Sequence, residues 1–213
     1  MTLAFNHDAF MVALRKRRGK VPADLYADII AAVEASQAGG MSPATPPFAA
    51  TGEPKWLDVA RTMIGLKEIA GPKHESRIVD MFKAAKAAWF KDDETPWCGA
   101  FTAYCMITCG LPIPEKGEAV RAKAWAKWGV ACGPVVGAIV VFGREGGGHV
   151  GILVGQSATH YYVLGGNQSN QVNIMPIAKS RMVAGGLRWP FGVPVSTVIA
   201  AKMSGGTVST NER

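Results

Sequence analysis

No apolar run in this chain approaches the roughly 18 residues a membrane-crossing helix needs; the longest, Val135 to Phe142, is the size of a strand. A transmembrane segment is therefore excluded. Cysteine is scarce: four residues in 213, Cys98, Cys105, Cys109 and Cys132. That is too few for the disulfide frameworks of small secreted domains. No two of them have the C-x-x-C spacing of a zinc site, so free thiols are expected and a metal is not. Charge is sparse too, 18% of residues against 48% hydrophobic, which excludes disorder and leaves ample material for a core. Residues 1–10 lack a basic region followed by an apolar stretch. No secretory signal peptide is expected, and the chain is expected to begin in a cytoplasm.

What charge there is leans one way. Lys and Arg number 23 against 16 Asp and Glu, a net +7, which favours an anionic partner: nucleic acid, an anionic lipid face, or an acidic polymer such as a cell wall. The densest cluster, Arg15 to Lys20, reads equally as a solvated helix end. No helix-turn-helix, zinc finger or aromatic RNA-binding strand accompanies it, so a nucleic-acid partner is not expected.

Residues 1–35 read as two short helices, with Pro22 opening the second and Leu25, Ile29, Ile30 and Val33 forming its stripe. Residues 36–54, rich in Gly, Ala and Pro, have the chemistry of a linker. Helices are expected over 55–64, 75–90 and from Thr95-Pro96 onward, with a further helical stretch around 119–128. From Val135 the period becomes that of strands, at Val136–Phe142, His149–Gly155, His160–Gly165, Val172–Ile177 and Leu187–Trp189, spaced as an antiparallel meander. Helices followed by strands make an α+β domain over 55–193. Residues 194–213 read as a tail.

The chemistry concentrates at Thr95-Pro96-Trp97-Cys98-Gly99-Ala100-Phe101. With Thr95 as N-cap and Pro96 in the first helical position, Cys98 falls in the first turn. There the N–H groups and the dipole lower a thiol's pKa and can hold an oxyanion. The alternative is a small buried hydrophobe, the reading that suits Cys105 and Cys109 two and three turns on along the same face. A thiolate nucleophile needs a base. Of the four histidines, His7 and His74 read as surface residues and His160 starts a strand. His149 opens an apolar strand after Gly146-Gly147-Gly148, where it is either structural or that base. A hairpin turning at Ala158 sets Asn167 opposite His149, within reach of a ring-to-amide hydrogen bond. A slip of one residue brings Gly166 or Gln168 there instead.

Together with Gly137 to Phe142, Gly148-His149-Val150-Gly151 and Gly165-Gly166-Asn167-Gln168, the Cys98 segment resembles the cysteine peptidoglycan hydrolases of the CHAP and NlpC type. The subgroup it resembles is that of bacteriophage endolysins, whose opening segment is similar to Gly65-Leu66-Lys67-Glu68-Ile69. The resemblance spans about residues 55–190. It implies a papain-like α+β fold with the nucleophile helix packed on the sheet. It implies Cys98 as nucleophile, His149 as general base and Asn167 as the orienting residue, with Gln168 competing for that role. Trp97, Gln168 and Glu68 would bind substrate. Many CHAP members carry Glu at or near the third position, and NlpC members usually have Asp before the cysteine where this chain has Trp97. The activity implied is cleavage of a peptidoglycan amide bond, muramoyl–L-alanine or within the stem or cross-bridge, with no metal or organic cofactor. A monomer is expected, accumulating in the host cytoplasm and reaching the wall through a holin lesion. A non-catalytic wall-binding module and a cysteine amidase or toxin acting on another amide are the alternatives.

Overall fold

Extended backbone at Pro54 hands directly into the first helix, α1 (Lys55–Arg61), which buries Trp56, Leu57 and Ala60. The structure is a computed structural model that describes residues 52–206 and 208. The two expected N-terminal helices and most of the linker lie outside the described residues. Trp56 fixes α1 to the sheet: its ring N–H donates to the Gly137 carbonyl at 2.8 Å, and its ring meets Trp189 edge-on at 4.9 Å.

Helix α2 (Ser76–Ala84) is N-capped by the Glu75 side chain, which accepts from the Arg77 N–H. It stops well short of the expected Phe90. Lys86 turns left-handed at φ 58°, and Ala87 donates to the Phe82 carbonyl at 2.9 Å, closing the end as a Schellman turn. Phe90 folds back onto Phe82 with ring centroids 5.0 Å apart.

Helix α3 (Cys98–Thr108) is buried on nearly every side. It packs between α1, α2 and the sheet, chiefly against β3 (Gly147–Gln156) and β4 (His160–Gly165). The stretch expected to be helical around 119–128 forms two 3-10 turns, Glu118–Val120 and Ala122–Lys127. Gly99 explains the close packing there, because a Cβ on it would lie 2.5 Å from the Ala119 carbonyl oxygen.

The remaining strands are β1 (Val130–Ala131), β2 (Ile139–Arg144), β5 (Asn173–Ala178) and β6 (Met182–Trp189). All pair antiparallel in the order β1-β6-β2-β3-β4-β5. The expected meander holds for β2 through β5, whereas β6 crosses back to the free edge of β2. With α3 packed against an antiparallel sheet, the fold is papain-like α+β. The segment read as a tail from residue 194 is in part stitched to the body. Val198 accepts from the Val136 N–H at 2.8 Å, Ala201 accepts from Gln156 at 2.9 Å, and the Tyr162 hydroxyl donates to Gly205 at 2.8 Å.

A buried carboxylate that the sequence reading passed over holds the loop ahead of α2. Asp93, fully buried, accepts from the Ile69 and Glu75 N–H groups at 2.8 Å each and pairs with His74 at 3.1 Å. His74 is thus tied down rather than an idle surface residue. Burial alone would raise the Asp93 pKa, but those hydrogen bonds hold it below the ordinary carboxylate value. Asp93→Ala is expected to cost roughly 2–4 kcal/mol at neutral pH, because two backbone donors lose their acceptor. The folded-state pKa is depressed, so this stabilisation is complete above about pH 4, the unfolded carboxylate's value, and fades as pH falls through the folded value. Urea unfolding of the two proteins at pH 7 and at pH 3 should show the gap narrowing in acid.

Candidate active site

Cys98 is the first residue of α3, with Trp97 as N-cap and no side chain capping the helix. This is two residues later than the sequence suggested. Thr95 turns instead on Asp92, donating its N–H at 2.7 Å and its hydroxyl at 3.2 Å. The first-turn N–H groups of α3 are therefore not consumed by a cap. Gly166 brings this helix start against the end of β4: a Cβ there would fall 2.6 Å from both the Trp97 ring and Phe101.

The thiol is buried, and that burial pushes its pKa up. The Val150 N–H, the Arg144 charge and the Gly99 and Cys98 N–H groups pull it back only partly. The expected lowering of the thiol pKa by the helix start is outweighed, since desolvation exceeds the dipole in a site this enclosed. Cys98 needs a base. Val150, whose N–H reaches the sulfur, directly follows His149 on β3, and His149 is itself fully buried.

The imidazole orientation is fixed by Gln168. Ring Nε2 lies 3.0 Å from the Gln168 Oε1. The Gln168 NH2 faces the Val163 carbonyl at 3.2 Å, the Asn173 carbonyl at 2.7 Å and the Asn173 Oδ1 at 2.8 Å. Surrounded by acceptors on that side, the amide must present its oxygen to the histidine. In the neutral ring the proton then sits on Nε2, and Nδ1 is the basic nitrogen.

Of the two amides left in competition for the third position, Gln168 is the one hydrogen-bonded to the His149 ring. The hairpin register is the one anticipated near the site, with Ile152 opposite Leu164 and Leu153 opposite Val163. Strand β4 nevertheless ends at Gly165, short of the position facing His149. Beyond it Asn167, Ser169 and Asn170 are left-handed, at φ 57°, 54° and 63°, a conformation Asn adopts more readily than most residues. This tight turn swings Gln168 inward. The Asn167 Oδ1 is buried without a hydrogen-bond partner among the described residues.

A polar cleft of about 540 Å³ is lined by Glu68, Glu94, Pro96, Arg144, Gly146, Asn167 and Asn170, and Arg144, whose charge acts on the thiol, ties it to the Cys98 end of α3. Glu68 is placed there because its N–H donates to the Asn170 carbonyl at 3.0 Å and its carboxylate accepts from the Trp97 ring N–H at 3.2 Å. Burial, the leading cause, raises its pKa, and the Asp93 and Glu94 charges add to the rise. Trp97 and Gln168, expected to touch substrate, are fully buried. Trp97 is a strut beneath the site, and Gln168 is the partner of the histidine. Arg144, half-buried on the cleft wall, was missed. Its signal was available in the β2–β3 hairpin, where it has the same strand parity as Phe142, the residue paired with His149. The other thiols stand apart. Cys105 is buried with its pKa pushed far up by desolvation, and burial raises Cys132 to about 11. An apolar cavity of about 370 Å³ lined by Trp56, Cys109, Leu111 and Trp189 lies at the opposite end of α3.

A buried thiol at a helix start and an amide-bonded histidine on the adjoining strand of a papain-like scaffold bring together the residue types that thiol hydrolysis requires. Residues 90–167 match the family model of the CHAP domain. The match includes Cys98, His149 and Asn167. No curated protein and no solved structure matches the chain.

Proposed function

We propose that the protein hydrolyses an amide bond of peptidoglycan through Cys98, His149 and Gln168. The observation that carries the reading is the hydrogen-bonded amide of Gln168, which leaves Nδ1 as the basic nitrogen of His149, the residue before Val150, whose N–H reaches the buried Cys98 sulfur. The Cys98 proton passes to His149 Nδ1 as sulfur attacks the substrate carbonyl carbon. First-turn N–H groups receive the developing oxyanion, and the Arg144 charge favours the anionic sulfur. The imidazolium then protonates the amide nitrogen, the C–N bond breaks and the amine leaves a thioester. His149 next deprotonates a water. Its attack releases the carboxylate, and the proton returns to sulfur.

The net charge of +7 supports retention on an acidic wall, an effect that added salt weakens. The likeness of the sequence motifs to endolysins supports a role in host lysis, with the protein made in the host cytoplasm and released to the wall. Digestion of purified peptidoglycan, followed by mass spectrometry of the fragments, is the test. New amino and carboxyl ends at one defined amide are expected, and they identify whether the muramoyl–L-alanine bond or a peptide bond is cut. Binding to the wall with no new ends would favour a non-catalytic module.

A further inference from the structure

Trp89 stands out on the surface, 62% exposed, yet its ring is held in place. It leans on Phe90 at 5.8 Å and 44° and packs on Gly117, where a Cβ would fall 2.6 Å from the indole. One face remains open to a second cleft of about 350 Å³, whose walls include Pro96, Lys116, Glu118 and Arg121. Pro96 also lines the polar cleft that holds Glu68 and Arg144, so the two depressions share one wall residue.

A fixed indole in a cleft of about 350 Å³, rimmed by charged side chains, is too small for a protein partner, which would need a broader apolar patch. It suits a flat ligand with C–H bonds on its faces and polar groups on its edge. The electron-rich indole face attracts such C–H bonds. Lys116, Arg121 and Glu118, the last two paired at 3.4 Å, are placed to meet hydroxyl, amide or carboxylate groups at the rim. We infer that the Trp89 cleft is a subsite for an N-acetylated hexosamine ring of the glycan strand. This rests on the peptidoglycan reading above, in which a stem peptide entering the Cys98 cleft carries its attached sugar to the neighbouring depression.

The test is binding of peptide-free N-acetylglucosamine–N-acetylmuramic acid oligomers to the full chain bearing Cys98→Ala, measured by calorimetry, so that no turnover is needed. Adding Trp89→Ala is expected to weaken binding about tenfold. Trp89→Phe should retain most of it, and Phe191→Ala, removing an aromatic 74% exposed elsewhere, should leave it unchanged. In the active enzyme Trp89→Ala should raise KM on intact peptidoglycan by a similar factor while kcat holds. Equal binding with and without the indole, or no binding by the Cys98→Ala protein, overturns the subsite. If oligomers bind through Trp89 but the wild type releases no fragments, hydrolysis falls and the subsite stands. If fragments are released and Trp89→Ala alters neither binding nor KM, the subsite alone falls.

Discussion

Cys98→Ala is expected to reduce fragment release from peptidoglycan by about 10⁴-fold or more, to the level of the uncatalysed background. The size follows from the covalent route: without sulfur no thioester forms, and the oriented histidine has nothing to activate. Alanine is the best helix former, and the side chain it replaces is small and buried. The variant should therefore fold with a melting temperature close to the wild type, so that the loss is chemical. Cys105→Ala supplies the contrast. That thiol lies two turns along the same helix, fully buried and far from the cleft, and its removal should lower stability modestly while leaving kcat near wild type. Digestion by Cys98→Ala at the wild-type rate would end the thiol mechanism, and a comparable loss in Cys105→Ala would relocate it.

The sequence exposed those parts of the site that rest on local chemistry. A cysteine after Thr-Pro-Trp reads as lying in the first turn of a helix, and Cys98 does, though the helix starts two residues later than expected; a histidine after three glycines reads as a strand mouth, and His149 is the third residue of β3. Strand β4 is found at its expected bounds because turn residues flank it on both sides. The parts that were not legible depend on distant partners. The return of β6 to β2 joins residues 40 to 49 apart in sequence, and β1 has only two residues, too few for any period. The burial of Trp97 depends on Gly166 meeting it from the turn just past β4. Asp93 reads as one more acid in the run Asp92-Asp93-Glu94, and only the approach of Ile69 and Glu75 separates it from its neighbours. Helix propensity favoured continuing α2 through Ala87 and Ala88, yet Phe90 finds its place on Phe82, and tertiary packing overrides the local preference.

Choosing between adjacent amides gives the second large effect. Gln168→Ala is expected to lower kcat by about 10²–10⁴-fold with KM little changed, whereas Asn167→Ala should cost only a few-fold. Removing the Gln168 oxygen frees the histidine to rotate and to take up either tautomer, so fewer molecules present Nδ1 to the thiol. Because the Gln168 amide also ties the turn to Asn173, some stability is lost as well, and activity alone would not separate orientation from folding. The imidazole ¹⁵N shifts do separate them. In the wild type they should report a proton fixed on Nε2, in Asn167→Ala the same, and in Gln168→Ala a mixture of tautomers even well below the melting temperature. An unchanged tautomer in Gln168→Ala together with full activity would return the orienting role to Asn167. That residue would then have to move, since its Oδ1 is buried and makes no hydrogen bond to the described residues, while the Gln168 amide is held by three acceptors and can point its oxygen only toward the ring.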